Sequence, residues 1–346
     1  MLCAPCKSEG QCAWEAAGSV PPRLCPLTSA KRCSADGQPV DLSRFVAEPC
    51  DAADDTLIVT THFNPCKFRR LRDTYHDWLP TLGPLADRLV CYELVLDDDV
   101  PEIDGSIVIR GTRREHWLWQ KEALINRALR DCPTGIKYFA WLDHDLVIAD
   151  RLWLDNATML LDSGAVAVQL FDQITYLDRN RSPIGINTGR MADWIRIGKP
   201  KGNPGGVWIS GVEYLRSIDG LTAINIVGGG DEVWFDAMTD VDGKQIPHYP
   251  QRMREAEIAW TDNARRVRGD RPPSFLAGMV YHLWHGDRSN RQYLSRHDIL
   301  NRYDFDPDAD VDLNADGLMQ WASHKRELHS AVAEYFTDRA EDGEAL

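Results

Sequence analysis

A chain of 346 residues can hold one large α/β domain with additions, and a net charge of −14 argues against sequence-independent binding along a phosphate backbone, which depends on Lys and Arg. It contains no apolar run of about 18 residues, and its start, MLCAPCKSEGQC, lacks the basic and apolar regions of a secretory leader. The expectation is a cytoplasmic protein with no membrane partner.

Residues 1–52 hold six of the nine cysteines and little apolar periodicity, and read as a Cys-rich arm or a small zinc-binding module. Cys3 and Cys6 have the spacing of a zinc half-site, with Cys12, Cys25 and Cys33 as candidates to complete a structural Zn2+ site. The odd total and the missing leader argue against a disulfide framework.

From residue 53 the pattern turns to alternating strands and helices. The β-branched run 56–61 predicts a strand that ends in the turn signal His62, Phe63, Asn64, Pro65. Phe68, Leu71, Tyr75, Trp78 and Leu79 recur at helical spacing and predict a helix over 67–80. Further strands are expected at 89–96, 106–110, 137–142 and 165–170, with a helix over 115–129. Short alternation of this kind predicts a mostly parallel sheet with helices on its faces, and ligands gather beyond the carboxyl ends of such strands. No G-x-x-x-x-G-K-[ST] or G-x-G-x-x-G cradle is present, which counts against kinase-like and dinucleotide readings.

Four groups of residues carry chemistry. Asp143 and Asp145 stand two apart after an apolar strand, where a turning backbone lets both reach one hard cation of the kind a nucleotide diphosphate needs. Gly228, Gly229 and Gly230 precede Asp231 and Glu232. Glycines allow close approach to a substrate, and one acid there can take a proton from an acceptor hydroxyl; an N-capping Asp is the plainer reading. His282 and His285 offer neutral imidazoles to a metal. Gly205 and Gly206 read as a loop before a helix over 210–218, with Trp208 offering a flat face to a sugar ring, although a buried Trp is the default. Arginine clusters at 69–72, 113–114, 265–268 and 288–296 leave room for local recognition of phosphate.

Taken in order over residues 55–290, these features resemble the nucleotide-sugar glycosyltransferases of GT-A fold, with likeness to the β-galactosyltransferase, polypeptide N-acetylgalactosaminyltransferase and family 2 branches. Residues 119–126 resemble the family's donor helix, and 60–64 its first nucleotide-contacting loop. Two departures are the central His144 and the G-G-D-E form of the acidic motif. The resemblance implies a Rossmann-like, mostly parallel sheet in a transferase domain over 53–300, followed by a helical extension over 301–346. It further implies Mn2+ or Mg2+ on Asp145, Asp143 and His282 or His285. The donor, a nucleotide-diphosphate sugar such as a UDP-sugar, would meet Asn64, Arg69, Asn126 and Asp143. Gly206 and Trp208 would meet the acceptor, and Asp231 or Glu232 would be the base of an inverting displacement. The acceptor stays open between a glycan, a protein, a small molecule and a modified base in phage DNA. Two alternatives are a non-catalytic sugar- or nucleotide-binding module of the same fold and a metal-dependent phosphohydrolase.

Overall fold

The computed structural model describes residues 38–241, 248–293 and 295–343. Cys3, Cys6, Cys12, Cys25 and Cys33 lie outside the described residues, while Cys50, Cys66, Cys91 and Cys132 are free thiols.

The apolar runs become the centre of a seven-stranded sheet. Strand β1 (Thr56–Phe63) pairs in parallel with β2 (Leu89–Leu96) on one side and β4 (Tyr138–Leu142) on the other, and β3 (Ile107–Gly111) adds to β2 in parallel. Beyond β4 come β9 (Val207–Gly211), β6 (Ala167–Gln169) and the short β10 (Ser274–Phe275). Of these β9 runs antiparallel to both neighbours. The architecture is therefore the mixed α/β one expected, with a mostly parallel central sheet.

A second sheet was not anticipated. It holds β5 (Leu146–Ile148), β7 (Gln173–Leu177), β8 (Pro183–Thr188) and β11 (Met279–His282), in the order β5-β11-β7-β8. Residues 143–145 are the whole connection from β4 to β5, so both aspartates sit where the chain leaves one sheet and joins the other.

Three helical expectations are corrected. Helix α1 spans Arg69–Trp78 and passes into a 3-10 stretch, Leu79–Arg88, where Pro80 and Pro84 withhold backbone donors. The helix expected over 115–129 is split into a single turn, α2 (Arg113–His116), and α3 (Lys121–Asp131). The break is held from elsewhere: the Trp119 N–H donates to Ile226 O at 2.9 Å, and the Gln120 side chain bonds the Met319 backbone in both directions. Residues 207–211, expected as loop and helix start, are the interior strand β9, and the helix α6 (Val212–Ser217) begins only after it. Chain order places α4 (Trp153–Asp162) and α5 (Arg190–Ile197) before β9, and α7 (Gly230–Met238) and α8 (Gln251–Arg268) after α6.

Apolar side chains cover both faces of the main sheet. One cluster joins Ile58, Leu142 and Val207 to Trp78 and Trp153 of the helices and to Val147 and Val280 of the second sheet; the other joins Val59, Phe139 and Trp208 to Leu124, Trp234 and Phe235. Each aliphatic chain so buried contributes roughly 1.5–3 kcal/mol. Residues 301–343 comprise a short hairpin (β12, Val311–Leu313, and β13, Met319–Trp321) and the helix α11 (Arg326–Asp338), after the short helices α9 (His297–Arg302) and α10 (Pro307–Asp310). Leu328 and Val332 of α11 pack with Leu118, Ala123 and Ile226, which draws this segment against the sheet ends.

Candidate active site at the junction of two sheets

A cavity of about 470 Å3 opens beyond the carboxyl ends of β1 and β4, and the β4–β5 connection forms its floor. Sheet pairing explains why distant residues meet there. His282 lies opposite Leu146 in the antiparallel β5–β11 pair, and the Leu283 N–H donates to Asp145 O at 2.8 Å. The register thus carries both histidines to Asp145, with His282 Nε2 at 3.6 Å and His285 Nε2 at 2.6 Å from Asp145 Oδ2. Donor atoms of Asp145, His282 and His285 all lie within 4.8 Å of one another. The other carboxylate oxygen, Asp145 Oδ1, is buried with no protein partner. One carboxylate and two imidazoles, with an orphaned buried oxygen among them, suit a divalent cation.

The electrostatics favour ligation at Asp145 and His282 and oppose it at His285. Burial would raise the Asp145 carboxyl, but His282 and His285 hold it well below the usual range, so it is ionised. Burial pushes His282 down to about 3, which leaves a neutral imidazole. His285 is held above its ordinary value: burial and Arg291 oppose the proton, and the carboxylates of Glu341 and Asp145 outweigh them. The buried Arg291 guanidinium lies against both rings, with Nη1 3.3 Å from His282 Nε2. A cation taking both nitrogens must displace it. His144 lines the cavity as well and packs against His62 and Tyr75, which accommodates a large residue at the centre of the acidic turn.

On the opposite wall Lys121, at the start of α3, links the two acidic motifs. Its Nζ is 2.8 Å from Asp143 and 3.3 Å from Asp231. Burial raises the Asp143 carboxyl; Lys121 opposes this, and the neighbouring Asp231 and Asp145 add to it. The neighbouring Glu122 is pushed up to about 7, chiefly by burial. Gly228 and Gly229 take φ of +81° and +125°, so the chain turns tightly enough to open α7 with Asp231 facing the cavity. Glu232 also lines the cavity but is ion-paired with the buried Arg190.

Other expected residues fall differently. Gly206 lines the cavity. Asn64 lines it too, yet its side chain is committed to the turn before α1: it donates to Phe68 O and Glu102, and accepts from the Phe68 N–H. The Arg69 side chain is 77% exposed beside Asp73 and does not line the cavity. The Asn126 side chain is likewise used up, bonding Leu221 N and O at 2.7 Å. Trp208 is fully buried in β9, edge-on to Trp234, with its indole N–H donating to Pro204 O. None of Arg69, Asn126 and Trp208 lines the cavity: the Asn126 and Trp208 side chains are taken up by the fold, and that of Arg69 lies at the surface. Arg190 and Glu341 escaped the sequence reading; Lys121 and Glu122 fell within the donor-helix likeness at 119–126 and Arg291 within the basic cluster at 288–296, but none of these three was given a role there.

No protein-family model and no curated protein matches the chain. Among solved structures, the catalytic domain of a Drosophila β1,4-galactosyltransferase 7 with xylobiose is similar at 12% identity and TM-score 0.29, over 54% of this chain and 60% of that one. A mycobacterial protein is similar at 13% identity and TM-score 0.39, over 78% and 84%. Glucosyl-3-phosphoglycerate synthase from Mycobacterium tuberculosis, solved with Mn2+, UDP and glucosyl-3-phosphoglycerate, is similar at 15% identity and TM-score 0.38, over 71% and 79%. The chain spans about three-fifths of the galactosyltransferase it matches.

Proposed function

We propose that this chain is a metal-dependent glycosyltransferase of the GT-A type, moving a sugar from a nucleotide-diphosphate donor to an acceptor hydroxyl with inversion. One observation supports this above the rest: Asp145, His282 and His285 share a cavity with Asp143 and Asp231, and Lys121 ties those last two carboxylates together. The donor set suits Mn2+ or Mg2+, and such an ion, when bound, neutralises the diphosphate as it leaves. Asp231 is the base: it takes the acceptor hydroxyl's proton as the new C–O bond forms and the sugar–phosphate bond breaks. Glu232 is held by Arg190, which leaves Asp231 the freer acid. Lys121 fixes the spacing between the donor side, at Asp143, and the acceptor side, at Asp231. Arg288 and Arg291, which also line the cavity, add positive charge for the phosphates.

A panel of nucleotide sugars, read by released nucleoside diphosphate, tests the reading. Turnover is expected with Mn2+, lost in EDTA and restored by added Mn2+. Asp145→Asn should remove most activity and leave the fold intact. Full activity in EDTA would sink the metal-dependent mechanism.

A further inference from the structure

We infer that Glu341, near the end of the described chain, is the positioning residue of the metal centre, and that the segment after α11 completes it by orienting His285. This rests on the metal reading of Asp145, His282 and His285. Glu341 is 1% exposed, and its two oxygens have different partners. One meets His285 Nδ1, and the other accepts from Arg339 Nε at 2.6 Å. A neutral imidazole carries one N–H and one lone pair. When Nε2 is given to a cation, the one remaining proton sits on Nδ1, where the Glu341 carboxylate accepts it; Nε2 is the nitrogen 2.6 Å from Asp145, and Arg291, 2.6 Å from it, must withdraw as the cation enters. His285 is thereby held in the tautomer and ring orientation a ligand needs.

The backbone is shaped for this contact. A Cβ at Gly286, which has φ +81°, would lie 2.8 Å from Ala340 O and 2.9 Å from Glu341 Cα. The segment reaches the chain beside His285 because position 286 has no side chain. Its other end is anchored too. The Asp342 carboxylate accepts from the Arg69 and Arg70 N–H groups at the start of α1, and Arg179 donates to Asp342 O at 2.7 Å. Glu341 is therefore fixed from both sides, by Arg339 before it and by Asp342 after it.

The test is Mn2+ affinity of the full chain, measured by the electron paramagnetic resonance of free Mn2+, with thermal unfolding of each metal-free variant alongside. Glu341→Gln should bind Mn2+ about 10- to 100-fold more weakly than wild type. Glu341→Asp keeps the charge against Arg339 and withdraws the carboxylate from His285; it should fold and lose affinity in the same direction. Asp310→Asn removes a buried carboxylate of the same C-terminal region, away from the cavity, and should lower stability with affinity unchanged. Folded Glu341 variants that bind Mn2+ like wild type overturn the inference, as does an equal loss in Asp310→Asn. A wild-type chain that binds no Mn2+ would overturn the metal reading beneath it.

Discussion

Asp231 and Glu232 are adjacent in sequence but differ in what holds them. Asp231 has Lys121 at 3.3 Å in the cavity, whereas Glu232 neutralises an arginine that is 8% exposed. Asp231→Asn should therefore lower transfer by roughly two to four orders of magnitude with donor affinity little changed. Glu232→Gln should act on stability, because it strands a buried guanidinium at a cost of about 3 kcal/mol. Donor titration, transfer kinetics and denaturant unfolding of both variants separate the two outcomes. Arg291→Gln carries a different signature: it removes a positive charge lying against both histidines, so Mn2+ affinity should hold or rise while donor affinity falls. Parallel Mn2+ and donor titrations check this. The acids and histidines were legible in the sequence because each stands at a strand end or beside glycines. The partners of Lys121, although it lies in the donor-helix likeness at 119–126, and of Glu341 were not, since they stand 22 to 110 residues away for Lys121 and 56 for Glu341. Asn64 and Asn126 show the converse, where a residue expected at the donor has its side chain taken up by the fold.

Among the elements, β1, β2 and β4 could be read directly, since each carries a β-branched or apolar run of strand length. Strand β9 could not, because it lies inside the sheet with both faces covered and lacks the polar alternation that marks a strand. Its glycine approach and the helix after it made residues 205–218 look like loop and helix. Trp208 is the consequence. Trp208→Ala should cost about 3–5 kcal/mol in denaturant unfolding, as expected for a fully buried aromatic. The milder Trp208→Phe should leave acceptor KM unchanged. A selective rise in acceptor KM would return Trp208 to the site. The second sheet was hidden for another reason: β5 and β11 have three and four residues, too few for periodicity to show.

At the scale of the whole molecule, one buried acid gives stability a pH slope of its own, away from the candidate metal site. Glu257 on α8 is fully buried, bonded by the Asn225 amide at 2.5 Å, and burial pushes its carboxyl up to about 8. The folded chain holds this proton where the unfolded chain has released it, so the contribution to stability falls as pH rises from about 4.5 to about 8. Glu257→Gln should lose that part of the slope and become more stable relative to wild type toward pH 8, as denaturant unfolding at several pH values would reveal. The direct passage from β4 to β5 has a consequence for biosynthesis. Asp145 leaves the ribosome 140 residues before His285, and Glu341 follows His285 by a further 56. The central strands β1 to β4 can pair long before the cation's ligands coexist. On the metal reading proposed above, the cation can be taken up only late in synthesis, and a polypeptide whose translation stopped short of residue 341 would hold every strand of the main sheet yet lack the group proposed to orient His285.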